Sequence, residues 1–299
     1  MYKFITILLS FMLASCLFTN SFADSSIIYD ILNKPYEQST GEDIIYNIIG
    51  KKKTNKKIKV KVLNENSISD ELESENKKQD KNIKTKLNIP NRKTDKNAYI
   101  KGLDISKWNG NIDWNAVERA GIKFVIIRAG YGTHIDYKFE QNMNNAIKHN
   151  MIIGIYWFGY AYTNDMAVKE AKICDKTIRK YKKHIILPVF YDYEYDSVNY
   201  AAKMGVRVNK RMVSSFTDYF CSFIKNKGYA TGIYTNIDYA NRYFSRSILN
   251  KYHTWIAQWV GSCSYKYNYI VWQCTDSYYV SNKKYDLDYF YYNRYIGDE

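Results

Sequence analysis

Between Tyr99 and Glu299, short apolar runs alternate with stretches of helical periodicity, and that alternation limits the possible folds more than any other property of the chain. Strands joined through helices run parallel and are covered on both faces, so they read as continuous apolar runs. The candidates are Ile100–Ile105, Phe124–Arg128, Ile152–Phe158, Ile185–Tyr193, Thr231–Tyr234, His253–Ala257, Tyr269–Gln273 and Asp286–Phe290. Ala167, Ala171, Cys174 and Ile178 fall on one helix face, with Asn164 or Asp165 as its cap, and Val213, Phe216, Phe220 and Phe223–Ile224 mark another. A complete eightfold β/α barrel usually takes about 250 residues. Here about 200 hold eight strand candidates, and the late ones leave almost no room for helices. The expected fold is α/β, an irregular TIM-like β/α barrel of about five β/α units plus closing strands.

The first 98 residues have a different character. Met1–Ala23 has a basic Lys3, an apolar run from Phe4 to Phe18 and the small-x-small ending Ser21-Phe22-Ala23, the pattern of a secretory signal peptide. Leu13-Ala14-Ser15-Cys16 also resembles a lipobox, which would make the protein a membrane-anchored lipoprotein through Cys16. From residue 24 to 98 the chain is rich in Lys, Asn, Glu and Ser, with seven lysines in the run KKKTNKKIKVK at 51–61. Such a stretch buries too little apolar surface to offset its ordering entropy and reads as a low-complexity basic linker, mostly disordered. The expected division is a signal peptide at 1–23, a linker at 24–98 and a barrel at 99–299.

The formal net charge is +14. Residues 99–299 carry 27 Lys and Arg against 18 Asp and Glu, a net of +9. Charge of that sign suits nucleic acid, an anionic membrane or an acidic extracellular polymer. Export and the lack of aromatic-basic interleaving argue against nucleic acid. Membrane contact is expected only if Cys16 is lipidated.

In a parallel barrel the chemistry lies at the C-terminal strand ends. Asp104 closes the first strand candidate, Asp192 and Glu194 the fourth, and Asp286 opens the last. In FYDYEYD, residues two apart point to one side, so Asp192 and Glu194 share a face with Cα atoms about 6.5–7 Å apart. Glycoside cleavage needs one carboxyl held protonated and a second group to stabilise positive charge at the anomeric carbon. A DxE pair alone is also common as solvated or ion-paired residues, and an acidic cluster at strand ends can bind calcium. Besides Cys16, the cysteines are Cys174, Cys221, Cys263 and Cys274. Cys174 and Cys221 fall on apolar helix faces, and a bridge between Cys263 and Cys274 is a possibility. Neither they nor the four histidines have metal-ligand spacing, so no metal site is expected.

Gly102-Leu103-Asp104-Ile105-Ser106, FVIIRAGYG at 124–132, Gly154-Ile155-Tyr156-Trp157-Phe158, PVFYDYE and Asp286-Leu287, in that order, resemble glycoside hydrolase family 25 over about residues 99–295. The resemblance implies a lysozyme, an N-acetylmuramidase that hydrolyses the β-1,4 bond between N-acetylmuramic acid and N-acetylglucosamine on a modified β/α barrel, without a cofactor. It implies Glu194 as proton donor, Asp192 as the carboxylate orienting or stabilising the substrate, and Asp104 and Asp286 as further catalytic acids. The family's Asp-Leu-Asn motif reads Asp286-Leu287-Asp288 here. Tyr156, Tyr131, Trp255 and Trp272 are the expected substrate-binding residues, with Trp259 a further aromatic of the late strands; Asp136, Phe139 and Asn142 are read as structural. Bacterial peptidoglycan is the implied partner, with anionic wall polymers beside it, in a secreted or wall-associated protein.

Overall fold

The computed structural model describes residues 95–296, so the signal-peptide, lipobox and linker readings lie outside the described residues. Nine strands form one sheet: β1 Ile100–Ile105, β2 Phe124–Tyr131, β3 His134–Ile135, β4 Ile152–Phe158, β5 Ile185–Asp192, β6 Thr231–Asn236, β7 His253–Ala257, β8 Val271–Val280 and β9 Lys283–Phe290. The sheet closes because β1 pairs with both β2 and β9, giving an eight-stranded barrel of β1, β2, β4, β5, β6, β7, β8 and β9; β3 only flanks the end of β2. Every pairing in the ring is parallel except those of β9, which runs antiparallel to β8 and β1.

Five crossovers carry helices: α1 Trp114–Arg119, α2 Phe139–Lys148, α3 Asn164–Ile178, then α4 Tyr195–Lys203 with α5 Lys210–Lys225, and α6 Ile237–Arg242 with α7 Arg246–Lys251. The link from β7 to β8 has no helix, β8 and β9 form a hairpin, and α8 Tyr292–Ile296 follows. The expectation of five β/α units plus closing strands therefore holds. Several details differ, among them the start of β9 at Lys283, which puts Asp286 inside that strand rather than at its opening. The cap of α3 is Thr163, whose hydroxyl accepts from the Met166 amide, rather than Asn164 or Asp165. β8 begins two residues after the expected Tyr269 and runs on to Val280. All four described cysteines are free, so Cys263 and Cys274 are not bridged.

The side chains pack in two layers set by the strand period of two. The inner layer includes Phe124, Ile126, Tyr156, Phe190, Tyr234, Trp255, Val271 and Phe290. The outer one joins Ile127, Ile155, Trp157, Tyr191, Ile233 and Ile256 to helix residues such as Ala171, Cys174, Phe220 and Cys221. Bulky rings fit inside a small barrel only where neighbours are small. A Cβ on Gly102 would lie 2.3 Å from the Phe124 ring, and one on Gly232 2.4 Å from Phe190. These two glycines make room for two phenylalanines.

Candidate active site

The inner parity that carries apolar rings through the barrel carries carboxyls at its C-terminal end. On β5, Tyr191 and Tyr193 turn outward: Tyr191 stacks on Phe220 of α5 at 4.4 Å, and the Tyr193 hydroxyl donates to the Ala161 carbonyl at 2.9 Å. Asp192 and Glu194 then share the opposite, inward side. Asp192 is buried at the last position of β5. Glu194 has extended backbone (φ −139°) and caps α4, its amide donating to Ser197 Oγ at 3.1 Å. Asp104 near the end of β1 is paired in register with Asp286 of β9. Two residues further down β9, opposite Gly102, lies Asp288.

Burial is the main influence on every one of these acids, because an unscreened carboxylate is costly where water is excluded. It pushes Glu194 up to about 7, with Asp196 and Asp286 adding repulsion. Asp286 rises to about 6, mainly from burial and then from Asp276. Burial holds Asp192 and Asp104 well above the ordinary carboxylate range; Glu194 reinforces the first, Asp286 and Asp288 the second. Asp288 reaches about 8 through burial, although Trp255 Nε1 donates to its Oδ1 at 2.8 Å. Asp288 lies close enough to Asp104 to raise its proton affinity by repulsion, and its own Oδ2 is buried without a hydrogen-bond partner.

A buried cation faces this cluster. Arg128 of β2 is buried, its Nε donates to Asp136 at 2.8 Å, and it lowers the proton affinities of Asp192 and Tyr156. Asp136 also accepts from the amides of Lys107 and Lys138, while Phe139 and Asn142 are buried beside it, in keeping with their structural reading. Gln273 is a hydrogen-bonding hub of the site. Its Nε2 donates to Asp104 Oδ2 at 2.8 Å, while its Oε1 accepts from the Tyr234 hydroxyl at 3.0 Å and from Trp259 Nε1 at 3.1 Å. An indole N–H can only donate, so the amide has one consistent orientation. The signal was available in strand parity: in Val271-Trp272-Gln273 the outer residues share the inner side with Asp104.

The expected binding aromatics divide. Tyr156 packs inside the barrel near Asp104 and Asp192. Tyr131 ends β2 half-buried, its hydroxyl accepting from Lys107 Nζ at 3.2 Å. Trp255 is 1% exposed and locked between Tyr156, Phe190 and Tyr234, so it has no free face for a sugar and props Asp288 instead. Trp272 is 6% exposed, points out of the barrel against Tyr289 and donates to the Gln258 carbonyl. Both expectations are corrected: Trp255 faces inward but the barrel core encloses it, and strand parity opposite to Gln273 turns Trp272 outward. Trp259, 58% exposed and tied to Gln273, is the tryptophan with a free face beside the acids. Among the described residues no set of three His, Cys, Asp or Glu is arranged to hold a metal ion.

Comparison with known proteins bears on the family and the fold. The chain is 40% identical over 60 residues to lysozyme M1 of Streptomyces globisporus and 27% identical over 182 residues to the autolytic lysozyme of Clostridium acetobutylicum. Those stretches take in 20% and 60% of this chain and span 20% and 51% of the relatives, about half their length or less. Among solved structures it resembles a family 25 glycosyl hydrolase from Bacillus anthracis, with a TM-score of 0.56 and 25% identity over 64% of this chain and 88% of that one. The modular autolysin LytC of Streptococcus pneumoniae, solved with a synthetic peptidoglycan ligand, shares the fold at a TM-score of 0.57 and 23% identity, covering 64% of this chain and 46% of LytC. Residues 103–283, more than half of the chain, match the model described as glycosyl hydrolases family 25, and the chain belongs to that family.

Proposed function

We propose that this protein is a peptidoglycan hydrolase, an N-acetylmuramidase that cleaves the β-1,4 bond between N-acetylmuramic acid and N-acetylglucosamine, with Glu194 as general acid. The observation that carries the reading is an acid held near pH 7 at the mouth of a family 25 barrel, beside a second, more deeply buried carboxyl. A proton donor works best when its pKa lies close to the working pH. Glu194 gives its proton to the glycosidic oxygen as that bond breaks. Asp192 has a buried Oδ1 without a hydrogen-bond partner, well suited to accept the N–H of the 2-acetamido group. So held, the acetamido oxygen attacks the anomeric carbon, and water later opens the intermediate with Glu194 as base. Asp104 and Asp286 stabilise the developing positive charge, while Tyr156, Tyr131 and Trp259 line the sugar site.

Peptidoglycan and its anionic companion polymers are the proposed partners, drawn by the net +9 of residues 99–299. Export through Met1–Ala23 belongs to the same reading, and the mature N-terminus checks it: a start near Asp24 means ordinary cleavage, a lipidated Cys16 means anchoring. The test of the activity is clearing of purified peptidoglycan by the wild type and Glu194→Gln, with identification of the new reducing end. The expected loss in Glu194→Gln is about 10²–10⁴-fold, with muramic acid at the reducing ends released by the wild type. Glucosamine ends, or undiminished clearing by the variant, would refute it.

A further inference from the structure

Next to the barrel mouth is a second concavity that the cleavage mechanism leaves unused. It has a volume of about 770 Å³ and lies between the β2–β3 turn, Tyr160, and the helices α3 and α4. That is within the ~300–1,000 Å³ typical of ligand sites. It adjoins the carboxylates. Tyr131, on its rim, is in register with Phe158, and Phe158 with Asp192, which sets the rim about 10 Å from Asp192 by strand spacing. Asp196, on the opposite rim, is close enough to Glu194 to raise its pKa.

The lining combines aromatic rings and two lysines with two acids, Glu170 at the base and Asp196 on the rim. Tyr160 and Tyr200 pack edge to face with ring centroids 5.0 Å apart, giving a firm wall. Lys169 of α3 and Lys203 of α4 face the space from two helices, and neither has an ion-pair partner among the described residues. At its base Glu170 takes hydrogen bonds from the Tyr160 amide and the Tyr191 hydroxyl, at 2.8 and 2.7 Å. Burial lifts Glu170 to about 8, so it is neutral at pH 7 and does not cancel the lysines. A half-open concavity with two unpaired ammonium groups and tyrosine walls suits a short ligand with several carboxylates.

The substrate of the proposed reaction has such a group. Muramic acid differs from glucosamine by a 3-O-lactyl ether, through which wall glycans bear a short peptide with free carboxylates. We propose that the cavity between Lys169 and Lys203 receives the acidic peptide stem of the muramic acid unit, so that the enzyme reads peptide as well as sugar. This rests on the muramidase reading. A polyphosphate wall polymer is the competing occupant, but a concavity of this limited volume beside the cleavage point matches a short branch of the substrate better than a long separate chain.

The experiment compares the full chain with Lys169→Ala/Lys203→Ala on three soluble substrates: glycan strands bearing peptide stems, the same strands stripped of stems by an amidase, and stripped strands that retain phosphate polymer. Both lysines are exposed, so the variant should fold normally. The expected result is a fall of about tenfold in kcat/KM, some 1.4 kcal/mol, on stem-bearing strands alone, and a larger fall in Lys169→Glu/Lys203→Glu. An equal fall on stripped strands, a fall seen only with phosphate polymer, or no change on stem-bearing strands would overturn the inference while leaving the muramidase reading intact. Failure of the wild type to cleave any of the three would remove both.

Discussion

Asp288 stands where the family motif has Asn, and Asp288→Asn should stabilise the protein in a pH-dependent way. The folded carboxyl has a pKa of about 8 against an ordinary 3.8, with burial as the chief cause. Folded Asp288 therefore binds a proton that the unfolded chain releases between about pH 4 and 8, so its contribution is most favourable below pH 3.8 and is lost as pH rises towards 8. Worked through the linkage relation, the cost is about 2 kcal/mol at pH 5 and about 5 kcal/mol at pH 8. Asparagine stays neutral throughout, keeps an oxygen for Trp255 Nε1 and turns its amide towards Asp104. Because Asp288 also interacts with Asp104, the extra gain between pH 5 and pH 8 should be of order 3 kcal/mol, or about 10 °C in Tm at ~2–4 °C per kcal/mol. Urea and thermal unfolding of both proteins at the two pH values measures it. An equal change at both pH values, or a loss at pH 8, would show that Asp288 is not held protonated by the fold.

Asp196→Asn removes one of the repulsions that raise Glu194, so the basic limb of kcat/KM should fall from near pH 7 by about half a unit, lowering activity about threefold at pH 8 and not at pH 5; an unmoved limb would separate Asp196 from the acid. Trp259→Ala should raise KM with little change in urea stability, whereas Trp255→Ala should cost about 3–5 kcal/mol of stability; the opposite pattern would reverse the two assignments. Gly102→Ala puts a methyl 2.3 Å from the Phe124 ring and should destabilise by about 1–3 kcal/mol, with Phe124→Leu restoring much of the loss. No rescue by Phe124→Leu in urea melts would show that the clash lies elsewhere.

What the sequence revealed was decided by how local each determinant is. β1, β4 and β7 begin and end where their apolar runs do. β2 runs on through Ala129 and Gly130 to Tyr131, although a glycine reads as an interruption; Gly130 is required because a Cβ there would meet the Trp157 ring and the His134 carbonyl at 2.4 Å. The far half of the β8–β9 hairpin was hidden because Thr275, Asp276 and Ser277 look like a loop, and its turn uses Ser281 and Asn282 at positive φ (48° and 64°) rather than an Asn-Gly pair. In the site, the shared side of Asp192 and Glu194 follows from parity along one strand. The hub at Gln273, the prop from Trp255 to Asp288 and the approach of Arg128 each depend on which strands become neighbours, and that is fixed by closure of the ring.

The antiparallel strand of the ring, β9, has a consequence for how the barrel can be held. Were β9 parallel to its neighbours, the chain would leave at the mouth, across the sugar site. Running backwards, it brings Phe290 beside Ile100, and Arg294 then donates to the Lys96 carbonyl and Asn97 Oδ1 while sitting 4.0 and 4.4 Å from the Tyr291 and Tyr269 rings. Both ends of the barrel are thus riveted together at the pole opposite the acids. An anchor or fusion attached at either end leaves the mouth facing outward, which makes immobilisation on a bead through residue 95 or 296 a natural way to present it to insoluble wall.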